Sequence, residues 1–385
     1  MSISVRAITL LLVVAAFLNV CSTPITAEEV ASPSVSAQSA ILIDRRSETI
    51  LYEKQSDLRL PMASTTKIMT ALVALEQMSL DAIITVDPRA VGVEGSSIYL
   101  VEGEQLTLEQ LLYALLLESA NDAATAIAIG VTGSVEAFAE QMNQTAREMG
   151  LENTRFQNPH GLDHAEHYTT ARELAKITCE ALKNPTIATI VSTKKTTIPH
   201  GGNDGVRLLV NHNRLLRDYD HAIGVKTGYT KRSGRCLVSA AEQNGASLIA
   251  VTLNAPDDWR DHTALLDYGF SQMEVLALCD AHEICLPVSV VGGAQNTVFV
   301  SNPDGFTVSI PKSHSEIRKV VELPRFLYAS VGAGDVVGRV VYQSDLDGDG
   351  KLEDVGSVPL TAQVSVKQSH RKQTIWQWLR GLFSR

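Results

Sequence analysis

The stretch Pro61-Met62-Ala63-Ser64-Thr65-Thr66-Lys67-Ile68-Met69-Thr70-Ala71-Leu72-Val73-Ala74-Leu75-Glu76-Gln77-Met78 decides how the rest of the chain is read. From Ile68 onward its apolar residues go nearly all round a helical period, which predicts a helix enclosed by protein rather than one lying on a surface. Pro61 predicts its start. Ser64 and Lys67 are three apart, so in a helix they share a face and the amine reaches the hydroxyl. A hydroxyl becomes a good nucleophile only beside a base. Lysine serves as that base only if desolvation or a nearby cation lowers its pKa from about 10.4. A buried helix supplies such a setting, but Ser-x-x-Lys alone also occurs in ordinary helices.

Two later stretches give the pattern weight. Ser119-Ala120-Asn121 follows the apolar run Leu111 to Leu117, and Lys226-Thr227-Gly228 sits in a strand-like segment, Ala222 to Thr230. Ser-x-x-Lys, Ser-x-Asn and Lys-Thr-Gly, in that order, form the motif set of penicillin-binding proteins and serine β-lactamases. The likeness runs on through Gly95-Ser96-Ser97, Leu116 to Ala124, Asn158-Pro159-His160-Gly161-Leu162-Asp163, His167-Tyr168-Thr169-Thr170-Ala171 and Gly224 to Thr230. On these residues the chain closely resembles the low-molecular-weight D-alanyl-D-alanine carboxypeptidases of the penicillin-binding protein 5 type. The resemblance is close from about Ala37 to Phe270 and looser beyond.

At 385 residues the chain is long enough for a large core domain and a smaller one. With 45% apolar and 20% charged residues it is globular in composition. A net charge of −10 argues against a nucleic-acid partner. The charge is uneven: Lys367, Arg371, Lys372, Arg380 and Arg385 fall in a final stretch with no acid.

Residues 1–27 read as an export signal, with Arg6, the apolar run Ala7 to Val20, then Ser22 to Ala27. The run is short for a membrane span. Leu18-Asn19-Val20 before Cys21 is a poor lipoprotein signature. Residues 28–38 form a Ser-bearing linker. Ala40 to Asp44 and Thr49 to Glu53 predict a β-hairpin, and Ile223 to Thr230, Arg235 to Ala241 and Ala246 to Asn254 predict three further strands. Together they can make a five-stranded antiparallel sheet, with the helices between Ser64 and Thr193 as a separate lobe and the site at the seam: an α+β fold over 39–273. Thr107-Leu108-Glu109-Gln110 is a capping box opening a helix through Leu117. Ser119 and Asn121 would lie at the break before the next helix.

Residues 276–364 change to short Val-rich alternations with Gly or Asp turns, predicting a small β-domain. Within it Asp345-Leu346-Asp347-Gly348-Asp349-Gly350-Lys351-Leu352 copies the start of a calcium loop, but position twelve is Gly356 where a bidentate Glu is required, so a solvated turn is expected. His160, His164 and His167 share a loop without a settled metal spacing, and no metal or other cofactor is expected. Among the cysteines, Cys279 with Cys285 is the most plausible disulfide pair of an exported chain. Residues 365–385 read as an amphipathic helix: Ile375, Trp378, Leu379, Leu382 and Phe383 recur at three-or-four spacing among basic and polar residues, fitting an anionic membrane surface.

The family resemblance implies a serine carboxypeptidase that removes the terminal D-alanine from peptidoglycan stem peptides and is acylated by β-lactam antibiotics. It implies Ser64 as nucleophile, Lys67 as base, Ser119 as proton relay and Asn121 as a hydrogen-bonding partner of substrate or Lys67. Lys226 and Thr227 would hold the terminal carboxylate, with Gly228 leaving room for the substrate backbone. It also places Arg260 near that carboxylate, makes the Asn158–Tyr168 loop a wall of the cleft, and gives Asp163 a structural or orienting role. Two alternatives share some of these features: a β-lactamase, against which the missing Glu-x-x-Leu-Asn pattern counts, and a silent wall-binding protein.

Overall fold

The computed structural model describes residues 31–200 and 205–369. The segments read as signal and membrane helix lie largely or wholly outside them. The predicted five strands form one antiparallel sheet, with Ile50–Lys54 at one edge, then Ser39–Asp44, Ala246–Leu253 and Gly234–Gln243, and Ala222–Thr230 at the other edge. Ser39–Asp44 and Ala246–Leu253 are buried along their whole length, so helices must cover both faces of the sheet. The strand period of two explains how. Ile41, Ile43, Ile249 and Val251 enter the main core with the helical lobe, while Ala40, Leu42, Leu248 and Ala250 enter a second core. Leu265 and Leu266, from the helix Asp258–Gln272, fill that second core.

In the main core lie the helix Lys67–Gln77 and the helices Leu108–Leu117 and Asn121–Thr132. Thr107 caps its helix by accepting from Gln110 N, and Gln110 Oε1 accepts in turn from Thr107 N, as the capping box predicted. Two short antiparallel strand pairs had not been foreseen: Ile83–Thr85 with Gln105–Thr107, and Lys195–Pro199 with Val206–Val210.

The C-terminal part is β-rich. Its main sheet has six strands, in the order Arg318–Glu322, Val336–Ser344, Glu353–Ala362, Thr297–Ser301, Cys285–Val291 and Phe326–Tyr328. A pair Met273–Cys279 with Phe306–Pro311 adjoins it. The strands Cys285–Val291 and Thr297–Ser301 alternate buried and exposed residues, the signature of a sheet with one wet face. The chain stays with this core beyond the Val364 boundary expected from the sequence: Val366 is buried and bridges Val331, and Ser369 N donates to Gly292 O. The disulfide reading fails. All four remaining thiols are free; Cys279 is buried beside Asn302, whereas Cys285 is exposed and meets the Gln363 amide.

Candidate active site

Ser64 sits in a tight 3-10 turn, Ala63–Thr66, that runs directly into the helix Lys67–Gln77. The helical start is therefore tighter than an α-turn and begins after Pro61. The turn is pinned by Thr65 Oγ1, which donates to Met62 O at 2.7 Å, and by Thr66 Oγ1, which donates to Ala63 O at 2.7 Å. Ala63 adopts φ 48°, a left-handed conformation costing a non-glycine residue roughly 1–2 kcal/mol. The surrounding contacts hold it there.

Lys67 is fully buried. Its Nζ lies 2.9 Å from Ser64 Oγ, 2.7 Å from Asn121 Oδ1 and 2.7 Å from the His160 carbonyl. Burial holds its pKa well below the ordinary lysine value, with the charge of Lys226 adding to the effect and Asp122 opposing it. Asn121 Nδ2 donates to Glu94 O at 2.5 Å, which fixes the amide with its oxygen toward Lys67. Gly95 makes that approach possible, since a Cβ there would fall 2.7 Å from Asn121 Nδ2. The adjoining buried Asp122 accepts from Ser97 Oγ at 2.6 Å and from Leu100 N at 3.0 Å, tying the Gly95-Ser96-Ser97 loop to the start of the Asn121–Thr132 helix. Ser119 lies at the predicted break, with φ 59°. Asn121 is not a cap: it begins the helix, and Ala120 holds the cap position without a side-chain bond.

The strand Ala222–Thr230 forms the opposite wall. Lys226 is buried and donates to Thr227 O at 2.9 Å; desolvation pushes its pKa down to about 7. A Cβ on Gly228 would lie 3.0 Å from the Ser64 amide nitrogen, so only glycine leaves space at that amide. Thr230 Oγ1 donates to Asp163 at 2.8 Å, joining the strand to the Asn158–Tyr168 loop. The loop closes on Ser64 from the other side, where a Cβ on Gly161 would fall 1.9 Å from Ala63 O. Its histidines have local partners. His167 Nδ1 accepts from Gln157 N at 3.0 Å, leaving the Nε2 proton for Thr66 Oγ1 at 2.8 Å, and burial pushes its pKa down to about 3. His160 Nδ1 accepts from Leu162 N, and burial, with Lys67 adding, pushes its pKa to about 3 as well. His164 Nδ1 accepts from Glu166 N.

A cleft of about 320 Å³ has Ser64, Ser119, Thr227 and Gly228 in its lining. A larger hollow, about 630 Å³ beside the helix Val135–Glu148, contains none of the three motifs, so size does not identify the site. Arg260 is exposed and is not among the cleft-lining residues. Arg235 and Trp259 are, and sequence reading missed both. Arg235 Nε donates to Asp258 at 2.8 Å, and its guanidinium lies 5.8 Å from the Trp259 ring centroid. The signal for Arg235 was its register: it pairs with Tyr229, the residue after Lys-Thr-Gly, across the hairpin. His212 also lines the cleft, with Nε2 3.1 Å from Glu118.

Residues 26–257 match the family described as D-alanyl-D-alanine carboxypeptidase, peptidase S11. D-alanyl-D-alanine carboxypeptidase DacF of Bacillus subtilis is 31% identical over 89% of this chain and 90% of its own. DacA of Haemophilus influenzae is 32% identical over 92% of each. The crystal structure of penicillin binding protein 5 from Haemophilus influenzae superposes with TM-score 0.63 at 30% identity, covering 88% of this chain and all 100% of that one. Fold, motif order and these likenesses together place the chain in the D-alanyl-D-alanine carboxypeptidase family of serine peptidases.

Proposed function

We propose that this protein removes the terminal D-alanine of peptidoglycan stem pentapeptides through an acyl-enzyme on Ser64, with Lys67 as base. The observation that carries the reading is the set of partners around Lys67 Nζ. Asn121 Oδ1 and the His160 carbonyl can only accept, so they take the two hydrogens of a neutral amine and leave its lone pair for the Ser64 hydroxyl 2.9 Å away. Burial and Lys226 favour that neutral state. The Ser64 proton passes to Lys67 as Oγ attacks the penultimate D-Ala carbonyl. The oxyanion meets the Ser64 amide and an amide just after Gly228, donors whose individual loss typically costs about 2.7–4 kcal/mol. Ser119 relays a proton to the departing D-Ala amine as the C–N bond breaks, and water then hydrolyses the Ser64 ester.

Lys226 and Thr227 take the terminal carboxylate. Arg235, which reaches the cleft, replaces Arg260 in supporting them. A β-lactam enters the same route, but its amine stays tethered, so benzylpenicillin leaves a long-lived adduct. Intact mass spectrometry tests this: the adduct forms on the wild type and is absent from Ser64→Ala. An adduct that survives in Ser64→Ala overturns the assignment.

We also assign the protein to the outer face of the bacterial cytoplasmic membrane, exported by residues 1–27 and held by the basic, amphipathic C-terminal segment. Among the described residues no helix is long and apolar enough to cross a membrane. Each base near an anionic surface contributes on the order of 1 kcal/mol, and Trp376 and Trp378 suit the interface. Binding to anionic vesicles that falls as salt rises supports this assignment, and indifference to such vesicles removes it.

A further inference from the structure

The wet face of the six-stranded sheet is not uniformly polar. Register places Pro287 opposite Phe299, Ser289 opposite both Thr297 and Phe326, and Val291 opposite Tyr328. These seven residues therefore share one face, while the alternating Val288, Val290, Val298 and Val300 point into the core. Phe299 is 51% exposed, Phe326 46%, Val291 48% and Tyr328 71%. The Phe326 and Tyr328 rings meet edge to face at 5.3 Å. None of the seven is charged. Three exposed aromatic rings on one solvent-facing side of a sheet, two of them in contact, make the kind of apolar surface that soluble proteins seldom leave uncovered without a use.

What covers it is indicated by where the chain leaves. Ser369 N donates to Gly292 O at 2.8 Å, and Ala294 N donates to Lys367 O at 2.8 Å, so the last described residues, 367–369, lie beside Val291 at the margin of this face. Residues 370–385 then carry Arg371, Lys372, Arg380 and Arg385 with no acid, together with Ile375, Trp376, Trp378, Leu379, Leu382 and Phe383. A surface that holds this segment is held within reach of the aromatic face, because the segment is joined to the fold at that margin. We propose that Phe299, Phe326, Tyr328 and Val291 form a second membrane-contact surface, lying on the anionic bilayer interface next to the C-terminal segment. The inference rests on the membrane reading of that segment given above. Tyr328 suits the headgroup level, with an apolar ring and a polar tip. One weak anchor binds reversibly, and a second contact on the same side turns it into a lasting attachment.

The test uses the mature chain with its C-terminal segment and vesicles of phosphatidylglycerol with phosphatidylcholine. Phe299→Ser with Phe326→Ser and Tyr328→Ser should lower vesicle partition about tenfold, leaving D-alanine release from a soluble peptide unchanged. Tyr328→Ser alone should lower it by about threefold; this most exposed position keeps the test open if the triple variant fails to fold. A chain ending after Ser369 should keep weak partition that the triple substitution abolishes. Equal partition of wild type and both variants overturns the proposal. So does tighter partition of the triple variant, which would mean that the face holds the C-terminal segment in solution. If the chain ending after Ser369 binds as strongly as the full chain and the triple substitution weakens both, the segment reading fails while the face remains.

Discussion

The strand Ala246–Leu253 is buried at every position, whereas Arg318–Glu322 is exposed at every position. The two sheets to which they belong are built on opposite terms. The first is covered on both faces and keeps charged or titratable groups dry: Lys67, Lys226, Asp122 and His262 are all buried. The second keeps one face wet, and its acidic loop, Asp345–Asp349, is solvated at its tips. A dry charge is perturbed by everything around it, while a wet one is screened. The chemistry of this molecule therefore belongs where charge is buried, and equivalent substitutions in the two regions should differ sharply.

The largest difference is expected at the proposed nucleophile and base. Ser64→Ala and Lys67→Ala should each lower kcat by roughly 10⁴-fold or more, in line with loss of one member of a cooperating catalytic set. Steady-state release of D-alanine from a pentapeptide checks this. Activity of Lys67→Ala within tenfold of the wild type would show that another group serves as the base.

Next comes a direct contrast of one charge from each region. Lys226→Ala should lower kcat/KM by about 10- to 100-fold, the range for losing a hydrogen bond to a charged group. Asp345→Ala should leave it unchanged. Asp345, Asp347 and Asp349 bring carboxylate oxygens within 4.8 Å of one another, but Asp345 already accepts from Gly348 N and Gly350 N, as a loop-closing turn does. A rise in Tm on adding calcium would break the contrast by giving the wet region a functional charge cluster.

The ease with which this much could be read from sequence has physical causes. Alternation and apolar runs depend on local periodicity, so the five sheet strands and the Leu108–Leu117 helix were legible. Ser64 and Lys67 were legible because a helix converts their spacing into proximity. The His160 carbonyl was not, since a backbone acceptor has no residue signature, although it holds Lys67 as closely as Asn121 does. Arg235 was missed for a similar reason: its place in the cleft lining depends on cross-strand register at Tyr229, while Arg260 followed from family likeness without the helix orientation that leaves it exposed. The Cys279–Cys285 pairing failed because closeness in sequence does not set side-chain direction, one thiol facing the core and the other solvent. Val366 was assigned to the tail because a single residue bridging Val331 leaves no periodic pattern.

Buried histidine gives the comparison a pH signature. His262 is fully buried, its nitrogens 2.5 Å from Ser239 Oγ and 2.9 Å from Thr252 Oγ1, and desolvation pushes its pKa from 6.5 to about 3. Above pH 6.5 both folded and unfolded forms are neutral and the stability is fully present. Below it the unfolded chain takes up a proton that the folded chain refuses, so stability falls as the pH drops toward 3. The loss from this one group is about 2 kcal/mol at pH 5. His262→Gln should be less stable at neutral pH but should show a shallower fall of Tm between pH 6.5 and 4. An unchanged slope would mean that the ring accepts a proton in the fold. His160 and His167 are depressed in the same direction, so the slope should flatten rather than vanish.

The smallest expected effect tests where the β-rich region ends. Val366 is 1% exposed, bridges Val331 and belongs to the same buried core as Val290 and Val300, whereas Val364 is 49% exposed. Ending the chain after Ser369 retains these contacts and should leave Tm unchanged. Ending it after Val364 removes one buried valine and opens the adjacent strand ends, costing about 1.5 kcal/mol, the lower end for a fully buried aliphatic side chain. Because the loss falls on the region without the proposed catalytic groups, D-alanine release at moderate temperature should be the same for both truncations while their melting curves separate. Coincident melting would return residues 365–369 to the tail. Loss of activity in the longer truncation alone would show that the two regions, so different in their treatment of charge, are energetically coupled.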